Sequence, residues 1–355
     1  MSQATNHRPT CEGTYQDYKS VGRYQSPGTT GISSEYNMNT NIYWENTLNY
    51  NKTIGGDHSI SAMIGQTLSQ RVYEQNATTG DAGKEHYYQS LFYDLSKIIT
   101  ETTTSAYVKE SMLSYFGRVN YSYKDKYLLT ASLRADGQST LAKGNKWGYF
   151  PSVSGAWRIS NESFMAGTSS WLDNLKLRVS WGITGNAAID PYETLTTLST
   201  LPVYYYMNGK NIAGNYPSNL GNKDLKWETT EAYNFGLDFG IFENRVSGSI
   251  DYFISETSDL LYFRQAPPSS VYPSVIANIG STKGSGIELG LNTLVVNSKD
   301  FTYDINWTYT KYYDEITGLA DGITKNINGK QGQIVGERVK IFYDYEANGN
   351  WQVGE

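Results

Sequence analysis

Few residues in this 355-residue chain have the types that support covalent, acid–base or metal chemistry, and their spacing argues against it. His7, His58 and His86 are the only histidines, none beside a serine in a nucleophile-elbow context, and the single cysteine, Cys11, has no neighbouring base to activate it. Carboxylates such as Glu101 and Glu110 have no separation that sequence alone defines. The chain is expected not to be an enzyme. Asp344, Glu346, Asn348 and Glu355 fall where an oxygen-ligand calcium loop has positions 1, 3, 5 and 12, with Gly349 at position 6. Flanking helical patterns are missing and Trp351 stands where a small aliphatic residue is usual, so no cofactor is expected, with calcium at this loop as the alternative. Asp81, Glu85 and His86 read as a solvated loop rather than a metal site.

Recognition chemistry is better represented. Tyr204, Tyr205 and Tyr206, with Asn208, Asn211 and Tyr216 close by, place flat rings beside amide groups, an arrangement suited to sugar faces or peptide side chains. The competing reading is that these rings pack a long loop against itself. Arg118, Arg134, Arg158, Lys176 and Arg178 form a second set, all on the polar face of their segments. They would line a water-filled lumen, either along a solute path or simply as charges that water tolerates.

The elements that carry these residues are strands. From Phe301 to Thr310, Phe301, Tyr303, Ile305, Trp307 and Tyr309 alternate with Thr302, Asp304, Asn306, Thr308 and Thr310, so one face is apolar and the other polar. Its partner is the run with Ile287, Leu289, Leu291 and Val295, joined through the turn formers Asn297 to Asp300. Tyr233, Phe235, Leu237 and Phe239 turn at Glu243-Asn244 and return as Val246, Ile250, Tyr252 and Ile254. Val119, Tyr121 and Tyr123 turn at Lys124 to Lys126 and return as Tyr127, Leu129, Ala131 and Leu133. Looser pairs join 42–50 with 58–68, and 147–159 with 175–181. About ten strands result, with short turns alternating with long loops at 71–111, 187–226 and 255–282.

Composition agrees with a wall that meets lipid. The 31 tyrosines and 8 tryptophans carry rings with a polar handle, suited to a membrane interface. A mean hydropathy of -0.52 is compatible with strands that are apolar on one face only, and no run nears the roughly 18 apolar residues of a spanning helix. Net charge of -6 without a basic cluster excludes a nucleic-acid footprint. Residues 1–10 are hydrophilic and contain no apolar leader, which also argues against lipid attachment at Cys11, so an exported protein of this kind is expected to be longer than this chain.

The run from Tyr115 to Tyr123 followed by Lys126 to Gly137 closely resembles the barrel of the SusC/RagA family of TonB-dependent transporters. Lys146 to Ser154 with Ala156 to Ile159, Leu175 to Arg178 with Trp181 to Asn186, Leu225 to Thr230, Asn278 to Gly280 and Gly284 to Glu288 continue the family's blocks in order, over roughly residues 40–320.

The resemblance implies an all-β fold: a partial antiparallel transmembrane β-barrel, about half of a roughly 22-stranded one, with the plug absent. Residues 1–40 are expected as a loop or partial strand, 41–312 as barrel strands with the three long outward loops, and 313–355 as a truncated outward loop. Implied too are a place in the bacterial outer membrane, import of oligosaccharides, peptides or similar nutrients, a SusD-like surface lipoprotein, and TonB engaged through the missing N-terminal region. The alternatives are a soluble all-β glycan-binding or glycan-hydrolysing protein, or an inactive truncated fragment.

Overall fold

The computed structural model describes residues 2–17, 30–81, 100–207, 210–265, 269, 272, 274–319, 322–328 and 331–344. In chain order the strands are β1 (Ser2–Asp17), β2 (Thr30–Ile54), β3 (His58–Asp81), β4 (Thr100–Tyr123), β5 (Tyr127–Gln138), β6 (Trp147–Arg158), β7 (Leu172–Asn186), β8 (Thr197–Met207) and β9 (Lys210–Asn219). There follow β10 (Glu228–Ile241), β11 (Val246–Ser258), β12 (Leu261–Gln265), β13 (Ser274–Asn278), β14 (Ser281–Asn297), β15 (Thr302–Gly318), β16 (Lys325–Asn328), β17 (Gln331–Ile334) and β18 (Ile341–Phe342). Eleven of them form one sheet in the order β1-β2-β3-β4-β5-β6-β7-β10-β11-β14-β15, a meander of wall strands. The pairs β8-β9 and β12-β13 are separate and sit in the β7-to-β10 and β11-to-β14 connections, and a separate three-stranded sheet, β16-β17-β18, follows β15.

The chain divides into two compact units, Met1–Asn46 with Gln66–Ser114, and Thr47–Gly65 with Tyr115–Glu355. In the first, β1 pairs with β2 from Ser2↔Glu45 to Asp17↔Thr30. Asn37 ties neighbouring strands there, accepting from Tyr73 Oη at 3.1 Å and donating to Glu35 at 2.9 Å.

The second unit contains most of the wall, and its register shows why alternation builds it. Tyr127, Trp157, Leu177, Leu237, Ile250, Leu289 and Tyr309 stand opposite one another in successive strands. The row Leu129, Gly155, Val179, Phe235, Tyr252 and Ile287 runs parallel to it on the same face. On the other face lie Thr130, Ser154, Ser180 and Asn234.

Burial is inverted relative to a water-soluble domain. Leu129 is 50%, Leu133 53% and Val179 51% exposed, while Thr130, Ser132, Lys176 and Arg178 are half-buried. A continuous apolar face of this extent needs an apolar covering, which a barrel wall finds in lipid.

Tight turns join β2 to β3 and β4 to β5. Gly55 and Gly56 have φ of 62° and 80°, and Lys124 and Asp125 have 52° and 55°, the paired left-handed conformations whose twist matches a hairpin. Phe242, Glu243 and Asn244 share that conformation between β10 and β11, and Ser298 N donates to Phe301 O at 2.9 Å between β14 and β15. Two 3₁₀ turns, Ile159–Asn161 and Ser163–Thr168, link β6 to β7. The β7-to-β10 and β11-to-β14 connections, 187–227 and 259–280, are long, so the wall has a short-turn end and a long-loop end.

Strands outrun their sequence signal. β2, β3 and β4 have 25, 24 and 24 residues, where a bilayer crossing takes about 9–11. Residues 1–40 thus hold β1 and the start of β2, and the interval 71–111 holds the end of β3 and the start of β4. Backbone pairing does not require side-chain alternation, so a ladder can continue where the sequence gives no period to mark it. The 187–226 and 255–282 intervals likewise contain the β8-β9 and β12-β13 hairpins. From residue 313 onward the chain completes β15 and forms β16 to β18.

Candidate functional site

Two arrangements could act on a solute: a charged ladder on the polar face of the wall, and a packed platform at its long-loop end. The ladder crosses β7, β10 and β11. Register places Arg178 opposite Gly236, and Gly236 opposite Asp251, with Lys176 opposite Asp238 one step along. Having no side chain, Gly236 leaves room for the guanidinium to reach across its strand. A Cβ there would lie 2.6 Å from Arg178 Cζ and 2.6 Å from Asp251 Oδ1. Arg178 Nε donates to both oxygens of Asp238 at 3.0 Å, and Nη2 donates to Asp238 Oδ1 at 2.7 Å and to Asp251 Oδ2 at 3.0 Å. Lys176 Nζ adds a contact to Asp238 Oδ2 at 3.1 Å. Two cations and two anions cancel, so this stretch is polar and rigid without a strong net field.

At the short-turn end, Glu162 accepts from Lys126 Nζ at 2.9 Å and from Trp157 Nε1 at 3.1 Å. Hydrogen bonds from Lys126, then Tyr127, then Trp157 hold its carboxyl down at about 2. Lys124 N donates to Asp57 O at 2.7 Å, and the Asp57 carboxylate holds the Lys124 ammonium above its usual range. These contacts tie successive turns together.

The platform is built from Leu141, Phe150, Ile189, Leu225, Trp227 and Ile276, which form the buried hydrophobic cluster. Leu225 is fully buried and sits between three connections. Trp227 Nε1 donates to Lys146 O at 3.0 Å, and its ring meets Phe150 edge-on at 5.3 Å. A side chain at Gly185 would collide with the Phe150 ring. Asn278 is the polar counterpart: its Nδ2 donates to Lys226 O and Asp259 O, each at 2.9 Å, and its Oδ1 accepts from Lys226 N at 2.9 Å. Asn222 Nδ2 donates to Ile276 O at 2.9 Å, and Lys226 pairs with Asp259 at 2.6 Å. The segments that sequence reading singled out at Leu225 to Thr230 and Asn278 to Gly280 are therefore the pieces that pin the long connections to the wall.

Of the five predicted lumen cations, only Lys176 and Arg178 come together. Arg134 pairs with Asp136 at 2.7 Å and covers the Phe116 ring at 5.6 Å. Arg158 pairs with Asp125 at the short-turn end, and Arg118 is exposed. Asp238, Asp251 and Gly236 are the partners that sequence reasoning passed over; each was visible as a polar-face position, but only register makes them a unit.

The predicted tyrosine cluster falls on the β8-β9 hairpin. Tyr206 pairs with Asn211, Tyr205 with Ile212, Tyr204 with Ala213, and Ser199 with Tyr216. Tyr206 is 75% exposed and Tyr216 is exposed, while Asn208 lies outside the described residues. In the calcium-like loop Asp344 is described, but Glu346, Asn348 and Glu355 lie outside the described residues, as do Glu85 and His86. Among the described residues no group of three or more His, Cys, Asp or Glu side chains is placed to hold a metal. His58 Nδ1 instead bonds Tyr121 Oη at 2.8 Å.

Comparison with known proteins agrees with this architecture. The family model described as TonB dependent receptor-like, beta-barrel, matches residues 3–355. TonB-dependent receptor P3 of Formosa agariphila is 34% identical over 331 residues, covering 90% of this chain and 32% of the relative. TonB-dependent receptor SusC of Bacteroides thetaiotaomicron is 32% identical over 333 residues, covering 88% of this chain and 32% of the relative. Among solved structures, the RagAB peptide transporter superposes with a TM-score of 0.85 at 25% identity, covering 96% of this chain and 37% of that one. The chain thus spans about a third of the length of these relatives. An apolar-out meander, a cross-braced polar face and these matches together assign the chain to the TonB-dependent receptor β-barrel family, of the SusC/RagA type.

Proposed function

We propose that this chain is the barrel portion of an active importer in the bacterial outer membrane, taking up peptides, oligosaccharides or similar nutrients with a SusD-like lipoprotein and energy delivered through TonB. The observation that carries the reading is the inverted wall: apolar rows outward, and a polar face braced by Arg178, Asp238 and Asp251. In this reading lipid covers the apolar rows, the short turns face the periplasm and the platform faces the outside, where cargo arrives. Tyr206 and Tyr216 have exposed rings, which in this reading stack on cargo, and Arg118, Arg134, Arg158, Lys176 and Arg178 would line the lumen. Were calcium bound, Asp344, Glu346, Asn348 and Glu355 would supply its oxygen ligands. The likeness to SusC and to the RagAB peptide transporter supports import and a lipoprotein partner.

The test is uptake of labelled oligopeptides and oligosaccharides by cells with and without an in-frame deletion of β5 to β11. Uptake of at least one cargo should be lost on deletion and on collapse of the proton gradient. Uptake of every cargo that persists in both conditions refutes the reading.

A further inference from the structure

At the long-loop end, residues from the 255–282 connection and from the segment after β15 line a cavity of about 300 Å³. Its walls come from β12, the start of β14, the end of β15 and the β16-β17 hairpin, and are mainly apolar: Leu260, Ile279, Ile316, Leu319, Ile323 and Val339. A second cavity of about 320 Å³ adjoins it, lined by Gln331, Lys340, Ile341 and Phe342 among others. Tyr262, Asn326, Gln333 and Val339 line both, so they form the septum between the two lobes.

The septum has a defined hydrogen-bonding polarity. Gln333 Oε1 accepts from Tyr262 Oη at 3.0 Å and from Asn326 Nδ2 at 3.2 Å. Asn326 and Gln333 are also directly opposite in the β16-β17 pairing. With its oxygen engaged by two donors, Gln333 has only its NH₂ group left to offer, and Asn326, one of whose two N–H donors is engaged, offers its carbonyl oxygen. A fixed donor thus stands next to a fixed acceptor, on the rim of an apolar hole of side-chain size.

We propose that this two-lobed cleft is a subsite for an extended peptide. It takes one large apolar side chain into the first lobe and pairs an adjacent peptide group with the septum, carbonyl to Gln333 Nε2 and N–H to Asn326 Oδ1. A peptide bond presents one acceptor and one donor, which is the complement of this septum. A sugar ring presents hydroxyls that both donate and accept, and would not use the apolar depth behind the septum. The proposal rests on the importer reading and names the cargo class within it.

The experiment uses the protein purified from outer membranes in detergent, and calorimetric titration with Ala-Ala-Phe-Ala, Ala-Ala-Ala-Ala and maltohexaose. Variants are Ile323→Trp, which fills the first lobe from a half-exposed rim position, and Gln333→Leu, which removes the septum donor. Ala-Ala-Phe-Ala should bind at least tenfold tighter than Ala-Ala-Ala-Ala, with that preference lost in Ile323→Trp. In Gln333→Leu, affinity for both peptides should fall about tenfold. Unchanged affinity in both variants overturns the proposal, as does binding of maltohexaose that Ile323→Trp abolishes. Cargo uptake by cells carrying either variant separates the two readings: persistent uptake with unaltered peptide preference leaves import standing and removes this subsite.

Discussion

Replacing Gly236 with alanine tests the charged ladder most directly, because a single methyl group lands where the guanidinium crosses. Its Cβ would stand 2.6 Å from Arg178 Cζ and 2.7 Å from Nη2, closer than non-bonded carbon tolerates, with Asp251 Oδ1 closing the other side at 2.6 Å. Arg178 must withdraw and give up its bond to Asp251 and part of its fork on Asp238. Hydrogen bonds to charged partners contribute about 1.5–3 kcal/mol each. These side chains keep 14–31% of their exposure, so water recovers part of that, and the expected loss is about 2–3 kcal/mol. Gly290→Ala is the control, since its nearest neighbour, Ser249 Oγ, is 3.4 Å away and the cost should stay below about 1 kcal/mol. Urea unfolding in lipid vesicles, followed by tryptophan fluorescence, reports both. In an Arg178→Ala background the Gly236→Ala penalty should shrink to under about 1 kcal/mol, a coupling that a double-mutant cycle isolates. Equal penalties at Gly236 and Gly290, or a Gly236 penalty that ignores residue 178, would falsify the bracing argument.

Other consequences follow from the turns and the platform. Leu225→Ala should cost about 2–5 kcal/mol locally and open the connections around 187–227 and 259–280 to protease, with the wall strands still protected; mass mapping of the cuts decides it. Glu162, with a folded-state carboxyl at about 2 against an ordinary 4.5, contributes stability that is fully present above pH 4.5 and lost as the pH falls through about 2. The unfolding midpoint should therefore drop across that window in the parent protein and flatten in Glu162→Gln, and parallel pH profiles would show that the turn clamp contributes nothing. Tyr206→Ala, at a 75% exposed position, should leave stability within about 0.5 kcal/mol and lower affinity for whichever cargo is imported; a stability loss with intact affinity would mean that the ring packs the hairpin.

Legibility followed solvent contrast. Where one face of a strand meets lipid and the other water, residues such as Leu175, Leu177, Val179 and Trp181 alternate with Lys176, Arg178 and Ser180, and the strand can be read directly. In the extensions of β2 to β4 and in the β8-β9 hairpin the ladder runs on without that alternation, and no period announces it. Alternation assigns the five cations to one face, yet alternation says nothing of partners. Arg158 proved to pair at a turn and Arg178 at the centre of a four-residue ladder, because pairing depends on register across strands up to 73 residues apart.

By itself the sequence determined an all-β wall, its greasy and wet faces, the positions of its short turns and its family, since each follows from local period, turn chemistry or contiguous blocks. Tertiary structure alone decided that Gly236 is the gap through which Arg178 reaches Asp251, that Leu225 and Asn278 pin three connections together, and that Asn326 and Gln333 face each other beside an apolar cavity. The Arg178–Asp251 and Asn278–Lys226 contacts join residues 73 and 52 apart in the chain, and the Asn326–Gln333 pair meets the cavity through Tyr262, 71 residues from Gln333. One residue of register slip would send them to opposite faces, and that register is a property of the assembled sheet.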